Sequence, residues 1–166
     1  KRELILIYGD PGSGKTRLAT SLPDRFGKTV YLAFDTGSES LASVLDHYRD
    51  RITVLKPSWK DPIVGAAEIV LTDWKAAGYD TIILDTFTTL SRSWLSCITK
   101  EGHFQEKRNY IGEPDKPGFF ALPDKGHYGG AMVVIQNLID DLIAKQPSLN
   151  IICICHAYLR EKDKDG

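Results

Sequence analysis

Cysteine is scarce in this sequence of 166 residues: Cys97, Cys153 and Cys155 make an odd count with no framework spacing. That excludes a small fold stapled by disulfides and suits a reducing compartment, so a cytoplasmic protein is expected. Cys153-Ile154-Cys155-His156 has no second Cys/His pair at a matching distance and reads as thiols on a buried strand rather than half of a metal site. Charge of one sign is lacking too. A net charge of −1 gives no basic field of the kind that advertises nucleic-acid binding, so any such contact must be local or lie elsewhere. No apolar run approaches the length that spans a bilayer, and no membrane insertion is expected. Internal repeats and coiled-coil heptads are missing as well. The chain enters an apolar run directly after Lys1-Arg2-Glu3 and ends on the charged stretch Arg160-Glu161-Lys162-Asp163-Lys164-Asp165-Gly166, which cannot close a core. We therefore expect a sequence trimmed at both ends.

What is present fits one α/β domain over residues 1–166. Leu4-Ile5-Leu6-Ile7-Tyr8 predicts a strand, and Lys15 to Leu22 a helix stopped by Pro23. Thr29 to Phe34 predicts a second strand closing on Asp35, Ser38 to Tyr48 a helix, and Ile52 to Leu55 a third, shorter strand. Asp61-Pro62 supplies a cap and a first-turn proline for a helix whose stripe is Ile63, Ala66, Ala67, Val70, Leu71 and Trp74, with Gly78 as its stop. Thr81-Ile82-Ile83-Leu84, ending on Asp85, is apolar on both faces, as a central parallel strand is. Met132, Ile135, Ile139, Leu142 and Ile143 keep helical spacing, and Leu149 to Cys155 predicts a last buried strand. This alternation implies right-handed crossovers and a mostly parallel, doubly wound sheet flanked by helices. The Gly-, Pro- and charge-rich stretch at about 93–130 shows little periodicity and is expected to be an insertion.

The chemistry concentrates between the first strand and the first helix. Gly9-Asp10-Pro11-Gly12-Ser13-Gly14-Lys15-Thr16 satisfies G-x-x-x-x-G-K-[ST] in the strand-loop-helix context the motif needs. Gly12 and Gly14 let the backbone wrap an anion with its N–H groups pointing inward, and Arg17 follows as part of the phosphate-binding set. Lys15 is placed to reach the β- and γ-phosphates of ATP, and the Thr16 hydroxyl to ligate Mg2+. A glycine-rich turn capping an ordinary helix is the plainer alternative, which pattern and context together disfavour. Asp85, at the end of a buried strand, is placed like a Walker B aspartate holding the magnesium. Alone it would read as a helix cap or turn residue. Thr86 beside it could orient a water. Asp35 and Glu39, in Asp35-Thr36-Gly37-Ser38-Glu39, both qualify as the group that orients an attacking water, although Glu39 reads equally well as a capping residue. His156 is the first polar side chain after the strand Leu149 to Cys155, where a γ-phosphate sensor would sit beside the loop; a lone histidine is otherwise more often structural.

These blocks together resemble the RecA-like ATPase domains of bacteriophages and their hosts, the AAA-type phage nucleotide-binding proteins that include single-strand-annealing recombinases. The resemblance rests on Ile5 to Thr16, Ala33-Phe34-Asp35-Thr36-Gly37, Thr81 to Thr86 and Ile151 to His156, and covers nearly the whole chain. It implies a RecA-like P-loop fold and an ATPase that uses Mg2+. It further implies action on single-stranded DNA in recombination, assembly as a homo-oligomeric ring or filament, residence in the host cytoplasm if phage-encoded, and a sensor role for His156. One position departs. Such recombinases commonly carry a catalytic Glu two residues after the Asp that ends the second strand, and Gly37 stands there instead. Glu39 is preferred as its replacement, with Asp35 organising the metal. A neighbouring copy would supply a cation to the γ-phosphate, with Arg160 and Lys162 as weak candidates. A small-molecule phosphotransferase and a non-hydrolysing switch or packaging accessory are the other classes weighed. A GTPase is disfavoured because no Asn-Lys-x-Asp motif is present.

Overall fold

The computed structural model describes residues 1–21, 26–34, 48, 50–57, 62–101, 110–111, 120–121 and 125–157. Along the chain these form β1 (Leu4–Gly9), α1 (Lys15–Thr20), β2 (Thr29–Ala33), β3 (Ile52–Leu55), α2 (Pro62–Leu71) and β4 (Thr81–Asp85). There follow α3 (Phe87–Glu101), two short strands β5 (Tyr110–Ile111) and β6 (Phe120–Ala121), α4 (Lys125–Lys145) and β7 (Asn150–His156). Two compact units result: Lys1–Pro57 with Trp74–Thr88 and Ser148–Gly166, and Ser58–Asp73 with Thr89–Pro147.

The first unit carries a five-stranded sheet in the order β1-β7-β4-β2-β3, every neighbouring pair parallel. β4 is buried at every residue, as its unbroken apolar run requires of a strand covered on both faces. Strand periodicity of two sorts the side chains. Ile83, Ile152 and Ile154 share one face with Tyr31 and Ile52 and pack on Ala19 of α1, with Ile5, Ile7, Ala33, Tyr48 and Val54 around them. β1 differs from the other central runs. Its apolar residues alternate in exposure, and Leu4, Leu6 and Tyr8 stand open on one face of this edge strand.

The entrance to β4 is held by a short turn. Gly78 has φ 88°, and the Trp74 and Tyr79 rings meet edge-on with centroids 6.2 Å apart. Asp80 ties this turn to the start of β2: its N–H donates to Lys28 O (2.7 Å), its carboxylate accepts from Lys28 N–H (3.2 Å) and it pairs with Lys75. The Lys75 ammonium and then the Lys28 N–H hold the Asp80 carboxyl below the usual carboxylate value.

In the second unit α2 and α4 pack together. The Gln146 side chain donates to Thr72 O (2.8 Å), closing one end of this pair. The sequence expectations shift in three places here. α2 ends at Leu71 rather than running to Trp74, because Thr72 and Asp73 are poor helix formers, and the Thr72 hydroxyl turns back onto Glu68 O (2.7 Å). Its buried side is Ala66, Ile69 and Val70, while Ala67 and Leu71 are exposed. The stretch at 93–130 is helical to Glu101 and again from Lys125; Leu90, Trp94 and Ile98, four apart, are buried and supply the period that a reading dominated by glycine and proline overlooks. On α4 the buried residues are His127, Ala131, Leu138 and Leu142, with Met132 exposed. Apolar residues lie all around that helix, so spacing alone does not select a face. The helix expected from Ser38 to Tyr48 lies outside the described residues apart from Tyr48.

Candidate nucleotide site

The loop between β1 and α1 folds as its glycines require. Gly12 and Gly14 have φ of 77° and 83°, in the left-handed region that a side chain disfavours. Ser13 N–H closes a turn on Asp10 O (3.2 Å), and Gly14 precedes the first turn of α1, where Leu18 N–H donates to Gly14 O (2.9 Å). A Cβ at Gly9 would come within 3.0 Å of Ser13 Oγ, so the loop sits close on the strand it leaves. Lys15 is buried, and its ammonium donates to Gly9 O (2.9 Å) and Asp10 O (2.7 Å). The cation thus lies inside its own loop, within reach of any anion cradled there. Arg17 is exposed on α1.

Asp85 arrives at the same place from β4, 69 residues further along the chain. The Thr16 hydroxyl donates to Asp85 Oδ2 at 2.8 Å, and the Tyr31 phenol from β2 donates to the same oxygen. Asp85 Oδ1 is buried without a hydrogen-bond partner among the described residues. Thr86, next to it, is buried as well. β7 lies between β1 and β4 and brings His156 alongside Gly9 in register, with Ala157 N–H donating to Gly9 O (3.0 Å). His156 is held by its own N–H, which donates to Thr88 Oγ1 (2.9 Å). Lys15, Thr16, Asp85 and His156 therefore gather at the carboxyl ends of three adjacent parallel strands, where open α/β sheets bind ligands.

The family model described as an AAA domain matches residues 1–166. The chain belongs to this AAA domain family. Among solved structures, the AAA domain is similar to an ATP synthase subunit, NeqB, from Nanoarcheaum equitans, at 15% identity and a TM-score of 0.54, over 94% of this chain and 39% of that one. A conjugation coupling protein, TcpA of pCW3, solved as a monomer with ATPγS, aligns at 14% identity and a TM-score of 0.40, over 94% of this chain and 43% of that one. The chain thus spans well under half the length of each. No curated protein matches it. The α/β fold is that of RecA-like P-loop ATPases, and the AAA domain is built to bind a nucleotide.

A magnesium ion fits the donors this AAA domain offers. A buried carboxylate oxygen left unpaired beside a threonine hydroxyl is a hard-oxygen pair of the kind Mg2+ takes, with phosphate and water oxygens completing its shell. Asp35 and Glu39 lie outside the described residues, as do Arg160 and Lys162. Two residues near the site were not singled out from sequence. Tyr31 reaches Asp85 because β2 neighbours β4 and the two share facing parity, which becomes visible only once strand order is known. Cys155, opposite Tyr8 on β7, feels the site too: burial pushes its thiol up, and the Lys15 ammonium opposes that shift. Among the described residues no helix is long and apolar enough to cross a membrane.

Proposed function

We propose that this AAA domain binds and hydrolyses Mg-ATP and serves, as a homo-oligomeric ring or filament, in phage-type DNA recombination or the handling of single-stranded DNA. The observation that carries the ATPase reading is the hydrogen bond from Thr16 to Asp85, which joins two sequence-distant motifs beside Lys15. The DNA reading rests on the resemblance of the four sequence blocks, and with no basic field any DNA contact is local or lies elsewhere.

In this reading the Gly9–Thr16 loop cradles the β-phosphate, and Lys15 exchanges its backbone carbonyls for phosphate oxygens. Thr16 and Asp85 would hold Mg2+, which would supply charge neutralisation at the phosphates. Glu39 accepts a proton from the attacking water, whose oxygen bonds to the γ-phosphorus as the bond from that phosphorus to the β,γ-bridging oxygen breaks, and ADP and phosphate leave. Asp35 organises the metal's waters, and His156 senses whether the γ-phosphate is present. A neighbouring copy supplies the cation that further offsets the developing charge; such a cation contributes on the order of a thousandfold or more in rate.

Steady-state ATP turnover of the full-length protein, with and without single-stranded DNA, tests this. Turnover stimulated by DNA supports the whole proposal. Transfer to a small acceptor would replace it with a phosphotransferase, and tight binding without turnover would replace it with a nucleotide switch.

A further inference from the structure

The nucleotide site leans on one buried polar side chain that the mechanism above does not use. Tyr31 sits mid-strand in β2 and is 2% exposed. Its ring packs in the cluster with Ala19, Ile83 and Ile152, and its phenol donates to Asp85 Oδ2. A phenol so deeply buried has little access to water, and the packed ring fixes where its O–H points.

Oδ2 therefore takes two hydroxyl donors, from Thr16 on α1 and Tyr31 on β2, while Oδ1 takes none among the described residues. A carboxylate with donors on both oxygens would be neutral as to which one is offered elsewhere. Two donors on one oxygen, delivered by separate elements, lock the group about its terminal torsion and leave the other oxygen uncommitted. Thr16 has a second task, since its oxygen can give a lone pair to the cation while its proton stays hydrogen-bonded to Asp85. The Tyr31 phenol gives the same oxygen a second donor, from the sheet itself.

We infer that Tyr31 is a positioning residue for the cation, holding Asp85 in the orientation that presents Oδ1 to magnesium. The inference rests on the proposed reading of Thr16 and Asp85 as the metal-binding pair. It predicts a specific division of effects. Removing the phenol oxygen should weaken the metal and leave the phosphate cradle alone, because the Lys15 ammonium is held by Gly9 O and Asp10 O rather than through Asp85.

Tyr31→Phe keeps the ring and its packing, so the test is Mn2+ binding followed by electron paramagnetic resonance in the presence of ATPγS, beside ATPγS affinity in EDTA. We expect Mn2+ affinity to fall about tenfold, the scale of a lost hydrogen bond to a charged group, with the affinity in EDTA unchanged. Unaltered Mn2+ affinity overturns the inference. In an Asp85→Asn background, Tyr31→Phe should add no further loss, and an additive loss would also overturn it, since Tyr31 would then act by another route. Should Tyr31→Phe not fold, 3-fluorotyrosine placed at position 31 retains the phenol. Its fluorine resonance should move when Mg2+ joins the ATPγS complex, and a resonance that stays put refutes the role. A wild-type protein whose nucleotide affinity ignores divalent metal would instead remove the parent reading, an outcome distinct from a metal-dependent wild type that Tyr31→Phe matches.

Discussion

Lys15 is buried and donates to Gly9 O and Asp10 O, so its charge is withdrawn from bulk water. In the proposed reading, phosphate would meet a lysine already held in the loop rather than a freely swinging cation. Lys15→Ala should abolish ATP binding, followed with a fluorescent nucleotide analogue, while circular dichroism shows the same fold and a melting temperature within a few degrees. Of the two carbonyls it leaves, Gly9 O keeps the Ala157 N–H as a donor, and that of Asp10, which is exposed, can be taken up by water. Retained affinity would remove Lys15 from the cradle. At this scale the sequence is most legible. Gly12, Gly14, Lys15 and Thr16 lie within one short stretch, and their spacing is itself the geometry of the loop. Asp85 was legible as a polar residue ending an apolar strand. Tyr31 was not, because its role depends on a partner 54 residues away on a neighbouring strand whose adjacency no local pattern encodes.

Among elements, strands were read closely and helix faces less so. An apolar run buried on both sides, such as Thr81 to Leu84, admits one interpretation, whereas α4 carries apolar residues on several sides and its buried face is selected by α2. Strand order is decided by how the elements stack, and β7 inserting between β1 and β4 could not be read from its sequence. The turn into β2 illustrates how one backbone choice fixes such an arrangement. Gly27 has φ 64°, and a Cβ there would collide with the Asp80 carboxylate that binds Lys28 N–H. Gly27→Ala should thus cost roughly 1–3 kcal/mol, through left-handed backbone strain and displacement of Asp80. Urea unfolding would read this as a lower midpoint at constant slope; an unshifted midpoint would mean the turn relaxes freely.

Across the whole molecule, burial of the central sheet makes stability sensitive to alkali. Burial first, and the neighbouring Cys155 second, pushes the Cys153 thiol from its ordinary 9.0 up to about 12. The folded protein keeps that proton where the unfolded chain would release it, so the contribution is intact below the unfolded value and is lost as pH rises from about 9 toward 12. Denaturant midpoints measured at pH 8, 9 and 10 should fall more steeply for the wild type than for Cys153→Ala. Parallel declines in the two proteins would mean the thiol titrates alike in both states.

Among the described residues, β1 is bonded to the sheet along one side only. Glu3 O and Gly9 O accept from Ile151 N–H and Ala157 N–H of the β7 side, both at 3.0 Å. With a period of two, the amides of Ile5, Ile7 and Gly9 turn toward β7 and those of Leu4, Leu6 and Tyr8 turn outward. The strand that delivers the phosphate loop should therefore exchange its amide protons at two speeds in strict alternation. Deuterium would enter at Leu4, Leu6 and Tyr8 while Ile5 and Ile7 remain protonated with the central strands. A ligand or neighbour that covers the open edge would erase the alternation by slowing only the fast set, which makes these three amides a built-in gauge of what reaches that side of the sheet.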